Sequence, residues 1–213
     1  MEKINLENDG ERMDIDFYSM NYDNFDGYQK SHYKRYEFAT TKLNSNDIVG
    51  DMACGSGYGS MMLSKNCKEV QGYDIDETTI NEIKKRYIKE NNVKFDVKNL
   101  LDIVDENRFD KIISFETVEH FTPDEIKSLL IKFHKALKEN GKLIFSTPYN
   151  QEKSIFSMKF HKTFYITENV IKEMTQDLFE IEETYYQDYD THNFKGNEGV
   201  KHFIISILKR KTI

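Results

Sequence analysis

One stretch limits this chain's folding options more than any other: Asp47-Ile48-Val49-Gly50-Asp51-Met52-Ala53-Cys54-Gly55-Ser56-Gly57-Tyr58-Gly59-Ser60. The β-branched pair Ile48 and Val49 starts an apolar run that breaks into alternating glycines, the pattern of a buried strand entering a tight turn before a helix. Gly55, Gly57 and Gly59 remove Cβ atoms where a backbone must approach a ligand, and they aim amide hydrogens from a helix N-terminus. The Gly-x-Gly-x-Gly spacing departs from the dinucleotide fingerprint, whose third glycine falls one residue later. No Lys-Ser/Thr pair follows, so it is not a phosphate-cradling loop of the Walker kind. Alone, the stretch also fits a ligand-free glycine turn between any strand and helix.

A second feature stands in register with the first. Val70-Gln71-Gly72-Tyr73-Asp74-Ile75-Asp76 reads as a short strand ending in an acid. Asp74 lies about twenty residues beyond the glycines, where a carboxylate can accept from both ribose hydroxyls. Asp76, Glu77 and Thr78 belong instead to the start of the next helix, whose expected buried stripe is Ile80, Ile83, Tyr87 and Ile88. Glycine turn and acid together favour an adenosine-containing ligand.

The remaining segments fall into order around this pair. Residues 1–26 form an irregular arm too rich in aromatics, Phe17, Tyr18, Tyr22 and Phe25, for simple disorder, and read either as a lid or as a packed surface segment. Tyr28–Leu43 has helical spacing, with Tyr28, His32, Arg35, Tyr36 and Ala39 near one face. Asn-Val-Lys-Phe-Asp-Val at 92–97 is a weak third strand, and Phe109–Phe115 a strong fourth that delivers Glu-Thr-Val-Glu-His into the crevice. Thr122, Pro123 and Glu125 open a helix with a capping box and a first-turn proline, and Asn140-Gly141 are expected to end it with a left-handed cap. Lys142–Pro148 is a fifth strand. Residues 149–166 make a long aromatic connection of the sort that is functional in compact domains. A short helix capped by Thr167 and running to about Asp177, and two apolar strands, complete the chain, with no room for a second nucleotide-binding half.

These segments resemble the class I S-adenosylmethionine-dependent methyltransferases. Asp51–Ser60 is similar to their first motif, Val70–Asp76 to their second, and Phe109–His120 and Leu137–Pro148 to their fourth- and fifth-strand signatures. A likeness covering nearly the whole chain is to small bacterial methyltransferases of sugar and surface-polysaccharide gene clusters. It rests on Gly-Glu-Arg-Met at 10–13, His32-x-x-Arg35-Tyr36-x-Phe38-Ala39, Ala53-Cys54-Gly55-x-Gly57-Tyr58-Gly59-Ser60, Ser114-Phe115-Glu116-Thr117-x-Glu119-His120, and Ser146-Thr147-Pro148.

The resemblance implies an α/β, Rossmann-like fold: a seven-stranded, mostly parallel sheet with a terminal antiparallel hairpin and helices on both faces. It implies one methyltransferase domain over 1–213, with 1–45 as arm and lid helix, 46–148 as cofactor-binding core, and 149–213 as acceptor-side loop and hairpin. S-adenosyl-L-methionine is the implied cofactor, held by Tyr36, Asp51, Ala53, Gly55, Gly57, Tyr58, Asp74, Ile75, Asn99, Leu100 and Phe115. Asp51 is expected to take the donor's ammonium directly or through water, and Asn99 to meet the adenine, unless it is an ordinary loop residue. Tyr36 is either a site residue or a core aromatic. The implied activity is methyl transfer to an oxygen or nitrogen of a small polar acceptor, a sugar or nucleotide-linked sugar. His120 leads as base, with His161 and His32 next and Glu116 lining the floor; the alternative for His120 is a loop brace.

Glu116, Glu119 and His120 stand at i, i+3 and i+4, so one helical turn could gather them, with His161, around a divalent metal. That arrangement resembles metal-dependent ribose methyltransferases acting on RNA 3'-ends and some phenolic or quinone-ring O-methyltransferases; the expectation here is no metal. The formal net charge of -7, from 37 acids against 30 bases, argues against broad nucleic-acid binding. Two cysteines make no disulfide framework, and no apolar run is long enough to span a membrane. The expected setting is the cytoplasm, the expected partner a small-molecule acceptor, and the reading admits a homodimer.

Overall fold

The computed structural model describes residues 13–195 and 199–212. The Gly-Glu-Arg-Met segment therefore lies outside the described residues except for Met13. A single sheet has the strand order β3-β2-β1-β4-β5-β8-β6-β7. Its members are β1 (Ile48–Met52), β2 (Glu69–Asp74), β3 (Val93–Val97), β4 (Phe109–Phe115), β5 (Leu137–Pro148), β6 (Phe179–Gln187), β7 (Phe194–Lys195) and β8 (Phe203–Arg210). β1 to β5 pair in parallel, and β8 runs antiparallel between β5 and β6. This is the expected Rossmann-like class I arrangement with its antiparallel hairpin, plus a two-residue β7 at the edge that sequence periodicity could not register.

Five α-helices are formed among the described residues, besides short 3₁₀ turns: α1 (Gly27–Thr40), α2 (Tyr58–Leu63), α3 (Glu77–Arg86), α4 (Pro123–Ala136) and α5 (Glu168–Thr175). Alternate residues of each strand feed opposite faces of the sheet. Ile113, Ile144, Ile205 and Ile207 pack with α1, α2 and α3 through Ala39, Leu63 and Ile80. Ile112, Leu143, Phe145, Ile204 and Leu208 pack with α4 and α5 through Leu129, Phe133 and Ile171. Each such side chain, fully buried, contributes about 1.5–3 kcal/mol, so both layers are well anchored to the sheet that carries the crevice.

Local chemistry sets the helix ends. Thr122 and Glu125 form the expected capping box of α4, with Pro123 in its first turn. Asp26 and Gln29 form a second box at the start of α1, which sequence reading had not singled out. Three expectations are corrected. α4 stops at Ala136 instead of Asn140: Leu137 is already paired with Phe109, and residues 138–141 bulge out before Lys142 pairs with Lys111. Asn140 does take a left-handed conformation, at φ 63°, but inside this bulge. Ile88 is 76% exposed because α3 ends at Arg86, and the helical stripe does not extend past Tyr87. Thr167 precedes α5 without a side-chain capping bond.

The arm from Met13 crosses the glycine turn. Ser56 Oγ donates to the Met13 carbonyl at 2.8 Å and accepts from the Ile15 amide at 3.3 Å, while the Phe17 amide donates to the Tyr87 hydroxyl at 3.2 Å. Ile15 is buried.

Candidate active site

Strand order reverses direction between β1 and β4, and the crevice beyond their carboxyl ends is where open parallel sheets bind ligands. A cavity of about 880 Å³ opens there. Its walls come from the arm, α1, the ends of β1, β2 and β4, the 149–166 connection and the β6–β8 hairpin. Both β1 and β4 are followed directly by a non-glycine residue with positive φ, Ala53 at 62° and Glu116 at 49°. Such conformations cost about 1–3 kcal/mol each and concentrate at functional sites.

The glycine turn is shaped by its neighbours. Gly57 has φ 75° and sits against Phe95 and Ile83, so a side chain would meet both strain and contact there. A Cβ on Gly59 would fall inside the Tyr36 ring. Tyr36 is buried edge-on against Tyr58 and Phe115, and its hydroxyl donates to Asp51 Oδ1 at 3.1 Å. Ser60 Oγ donates to the other oxygen of Asp51 at 2.5 Å. Burial pushes the Asp51 carboxyl up to about 6, against these two donors, with the charge of Asp74 adding to the rise.

Asp74 stands where the ribose-binding acid was expected, on the cavity wall. It accepts from the Gly55 amide at 2.9 Å and the Asp76 amide at 3.0 Å, bonds that fix both carboxylate oxygens at the end of β2. The cavity is open beside it. Tyr36, Ala53, Gly55, Tyr58, Ile75, Asn99, Leu100 and Phe115 also line the cavity. Asp51 and Gly57 are not on its wall: Asp51 lies beneath, bracing Tyr36, and Gly57 packs against the core. The Asn99 side-chain oxygen accepts from the Leu101 amide at 3.0 Å, capping a 3₁₀ turn over Leu100–Asp102.

Glu116, His120, His161 and His32 all line the same cavity. Glu116 accepts from Ser146 Oγ at 2.6 Å and lies 3.7 Å from Arg35 Nη1. Arg35 is 1% exposed and runs beneath the wall; it donates to Gln187 at 3.0 Å and stacks 4.4 Å from the Phe203 ring. Burial lowers the His32 imidazole well below its usual range, with Arg35 adding to the effect.

Val118–His120 is a 3₁₀ turn rather than the α-turn assumed from the sequence spacing. It gathers Glu119 and His120 with His161, whose ligand-type atoms all lie within 4.8 Å of one another, and leaves Glu116 outside the group. His120 Nδ1 is 3.1 Å from the Phe160 carbonyl, and His161 Nδ1 is 2.6 Å from Gln151 Oε1. Glu119 is 2% exposed and accepts from Thr147 Oγ1 at 3.1 Å. Burial first, and the neighbouring Glu116 second, hold its carboxyl well above the usual carboxylate range.

The bracing residues Ser146, Thr147 and Gln151 were not among the expected site residues. Ser146 and Thr147 fall in the Ser-Thr-Pro signature, so a signal existed for them. Gln151 had none, because its pairing with His161 depends on how the 149–166 connection folds.

Residues 49–141 match the family model described as "Methyltransferase domain". The phosphoethanolamine N-methyltransferase of Plasmodium falciparum is 28% identical over 158 residues, which cover 73% of this chain and 56% of that protein. This chain thus spans little more than half the length of that relative. The N-methyltransferase NodS of Bradyrhizobium japonicum, solved with S-adenosyl-L-homocysteine, superposes with a TM-score of 0.68 at 13% identity, over 89% of this chain and 90% of that one. The 1,6-didemethyltoxoflavin-N1-methyltransferase of Burkholderia thailandensis, solved with 1,6-didemethyltoxoflavin and S-adenosylhomocysteine, gives a TM-score of 0.70 at 15% identity, over 85% of this chain and 79% of that one. The fold is that of the class I methyltransferases.

Proposed function

We propose that this chain, with a methyltransferase domain across residues 49–141, uses S-adenosyl-L-methionine to methylate an oxygen or nitrogen of a small polar acceptor, a sugar or nucleotide-linked sugar. The observation that carries the reading is the pairing of Gly55 and Asp74: a Cβ-poor turn and a fixed carboxylate stand together on the wall of an open cavity. The residues fit the cofactor. Asp74 would take the ribose hydroxyls, the turn around Gly55 the methionyl part, and Asn99 and Leu100 the adenine end. Asp51 acts through Tyr36 by holding its ring against Gly59.

The bound donor supplies an already activated methyl on a sulfonium, so the protein's work is alignment and proton removal. Glu116, held by Ser146 and Arg35, accepts a hydrogen bond from the acceptor. His120, whose Nδ1 lies against the Phe160 carbonyl, takes the proton of a hydroxyl acceptor in the cation-free protein. The sugar class is supported by the mixture in the cavity wall: polar Gln151, Lys162 and Lys201 together with aromatic Tyr28, Tyr189 and Phe203. No helix among the described residues is long and apolar enough to cross a membrane. A cytoplasmic setting and an acceptor other than nucleic acid are parts of the reading, which admits a homodimer.

Calorimetry with S-adenosylmethionine and S-adenosylhomocysteine tests the donor, with micromolar binding expected; absence of binding for both refutes it. Labelled donor offered with nucleotide sugars, phenols and phosphoethanolamine then tests the acceptor class. Label appearing in the phenols or phosphoethanolamine and not in the sugars would overturn the sugar assignment.

A further inference from the structure

We infer that Glu119, His120 and His161 form a binding site for one first-row divalent cation on the acceptor side of the cavity. The three ligand atoms lie within 4.8 Å of one another, although one residue comes from a connection some forty positions downstream of the others. Two imidazoles with one carboxylate suit manganese, iron, cobalt or zinc better than magnesium or calcium, which prefer all-oxygen shells. Three protein ligands leave coordination positions open toward the cavity.

The surroundings of the three ligands are built in the way metal ligands require. A carbonyl oxygen can only accept, so the contact with Phe160 puts the proton of neutral His120 on Nδ1 and the lone pair on Nε2. Gln151 Oε1 does the same for His161. Ligating histidines ordinarily have this kind of partner on the second nitrogen, which sets tautomer and ring orientation. The rings stand at 88° with centroids 5.1 Å apart, so they approach from different directions instead of stacking. Thr147 orients Glu119, a carboxylate with 2% exposure for which a cation would offset the cost of burial.

The two ligand-bearing segments are also laced by backbone. The Glu119 carbonyl accepts from the Lys162 and Thr163 amides at 2.8 and 3.1 Å, and Thr163 Oγ1 donates to the Phe121 carbonyl at 2.6 Å. The site therefore joins the turn after β4 to the 149–166 connection, and a bound cation would pin that connection over the acceptor space. Its chemical consequence rests on the methyl-transfer reading; its existence does not. With the cation bound, His120 is a ligand and no longer a base. An acceptor hydroxyl at an open coordination position loses its proton to water because the cation stabilises the resulting alkoxide. That oxygen then forms a bond to the donor methyl as the carbon–sulfur bond breaks, leaving neutral S-adenosylhomocysteine.

The test uses the full chain, stripped with a chelator, and Co²⁺ alone as the probe. Expected are one Co²⁺ per chain with visible ligand-field absorption, and a raised melting temperature. Affinity should fall more than about 100-fold in H120A and H161A and about 10–100-fold in Q151A, which removes only the partner of His161. E116Q should bind Co²⁺ as the parent does. S-adenosylhomocysteine calorimetry on each variant checks that the fold persists, and Q151A keeps the test decisive if a ligand variant misfolds. No stoichiometric Co²⁺, Mn²⁺ or Zn²⁺ binding, or binding undiminished in Q151A and the histidine variants, overturns the site. Loss of homocysteine-product binding in the parent would instead overturn the proposed function and leave the metal result standing.

Discussion

Gly59→Ala gives the sharpest test of how the donor end is built, because two elementary arguments predict opposite signs. Gly59 lies within α2 and has ordinary helical φ, so propensity alone predicts that alanine stabilises by about 0.5–1 kcal/mol. Packing predicts the reverse. The new methyl would lie among the Cζ, Cε1 and Cε2 atoms of Tyr36, a rigid ring in the interior whose hydroxyl is tied to buried Asp51. Overpacking of this kind costs about 1–3 kcal/mol. If the ring moves, Asp51 loses a donor, at a further cost of about 1–3 kcal/mol. With the ring displaced, both costs less the propensity gain leave a net loss of about 1–5 kcal/mol, so packing wins. For a chain of this size the midpoint falls by about 2–4 °C per kcal/mol.

Chemical denaturation of the single and double variants isolates the cause. In a Y36A background the ring is gone, so Gly59→Ala should become neutral or stabilising by up to about 1 kcal/mol, giving a coupling energy of at least about 1 kcal/mol. S-adenosylhomocysteine affinity should fall with the single Gly59→Ala change, since Tyr36 lines the cavity. A Gly59→Ala protein as stable as the parent, or an equal effect in both backgrounds, refutes the claim that Tyr36 is why this position is glycine.

Three further outcomes are expected. Asp74→Ala should weaken S-adenosylhomocysteine binding by about 1.5–3 kcal/mol, the range for hydrogen bonds to a charged group, and unchanged calorimetric affinity would remove Asp74 from the ribose site. Asp51, raised from 3.8 to about 6 by burial, binds its proton more tightly in the folded state. Its contribution is therefore most favourable below about pH 4 and is lost as pH rises through about 6. The stability of the parent relative to Asp51→Asn should fall by about 2–3 kcal/mol between pH 4 and pH 7; a flat difference in denaturation midpoints contradicts the burial argument. Ser146→Ala removes the 2.6 Å hydrogen bond to Glu116 and should lower kcat with a smaller change in donor affinity, so an equal loss in both would mean that Ser146 supports the donor pocket instead.

The glycine-turn half of the fold was legible because its determinants are local. A strand, three glycines and an acid some twenty residues later are one βαβ unit, and such units close in one hand. Capping residues fixed the start of α4 for the same reason. Where the sequence reading failed, a longer-range pairing had overridden a local signal. Asn140-Gly141 has the chemistry of a helix stop, but pairing of Leu137 with Phe109 ended α4 four residues sooner. Asp51 was expected to take the ammonium, directly or through water, because it borders the glycine turn; in the structure its two oxygens accept from Tyr36 and Ser60.

The acceptor half depends on connections between segments that no local rule supplies. Spacing in Glu116-x-x-Glu119-His120 suggested a helical turn presenting both acids and the imidazole together. In the structure Glu116 takes a positive φ at the end of β4, which sends its carboxylate to Ser146 and Arg35, while the 3₁₀ turn that follows faces Glu119 and His120 toward His161. A single backbone reversal thus divides two acids three residues apart between two tasks. Glu116 is paired with a guanidinium and poised over the cavity; Glu119 is buried among imidazoles. The division predicts different consequences for the isosteric amide at each position. Glu116→Gln should impair acceptor turnover and spare Co²⁺ binding, whereas Glu119→Gln should abolish Co²⁺ binding. Identical phenotypes in the two variants would mean that the carboxylates act as one unit and that the strained φ of Glu116 does not separate them.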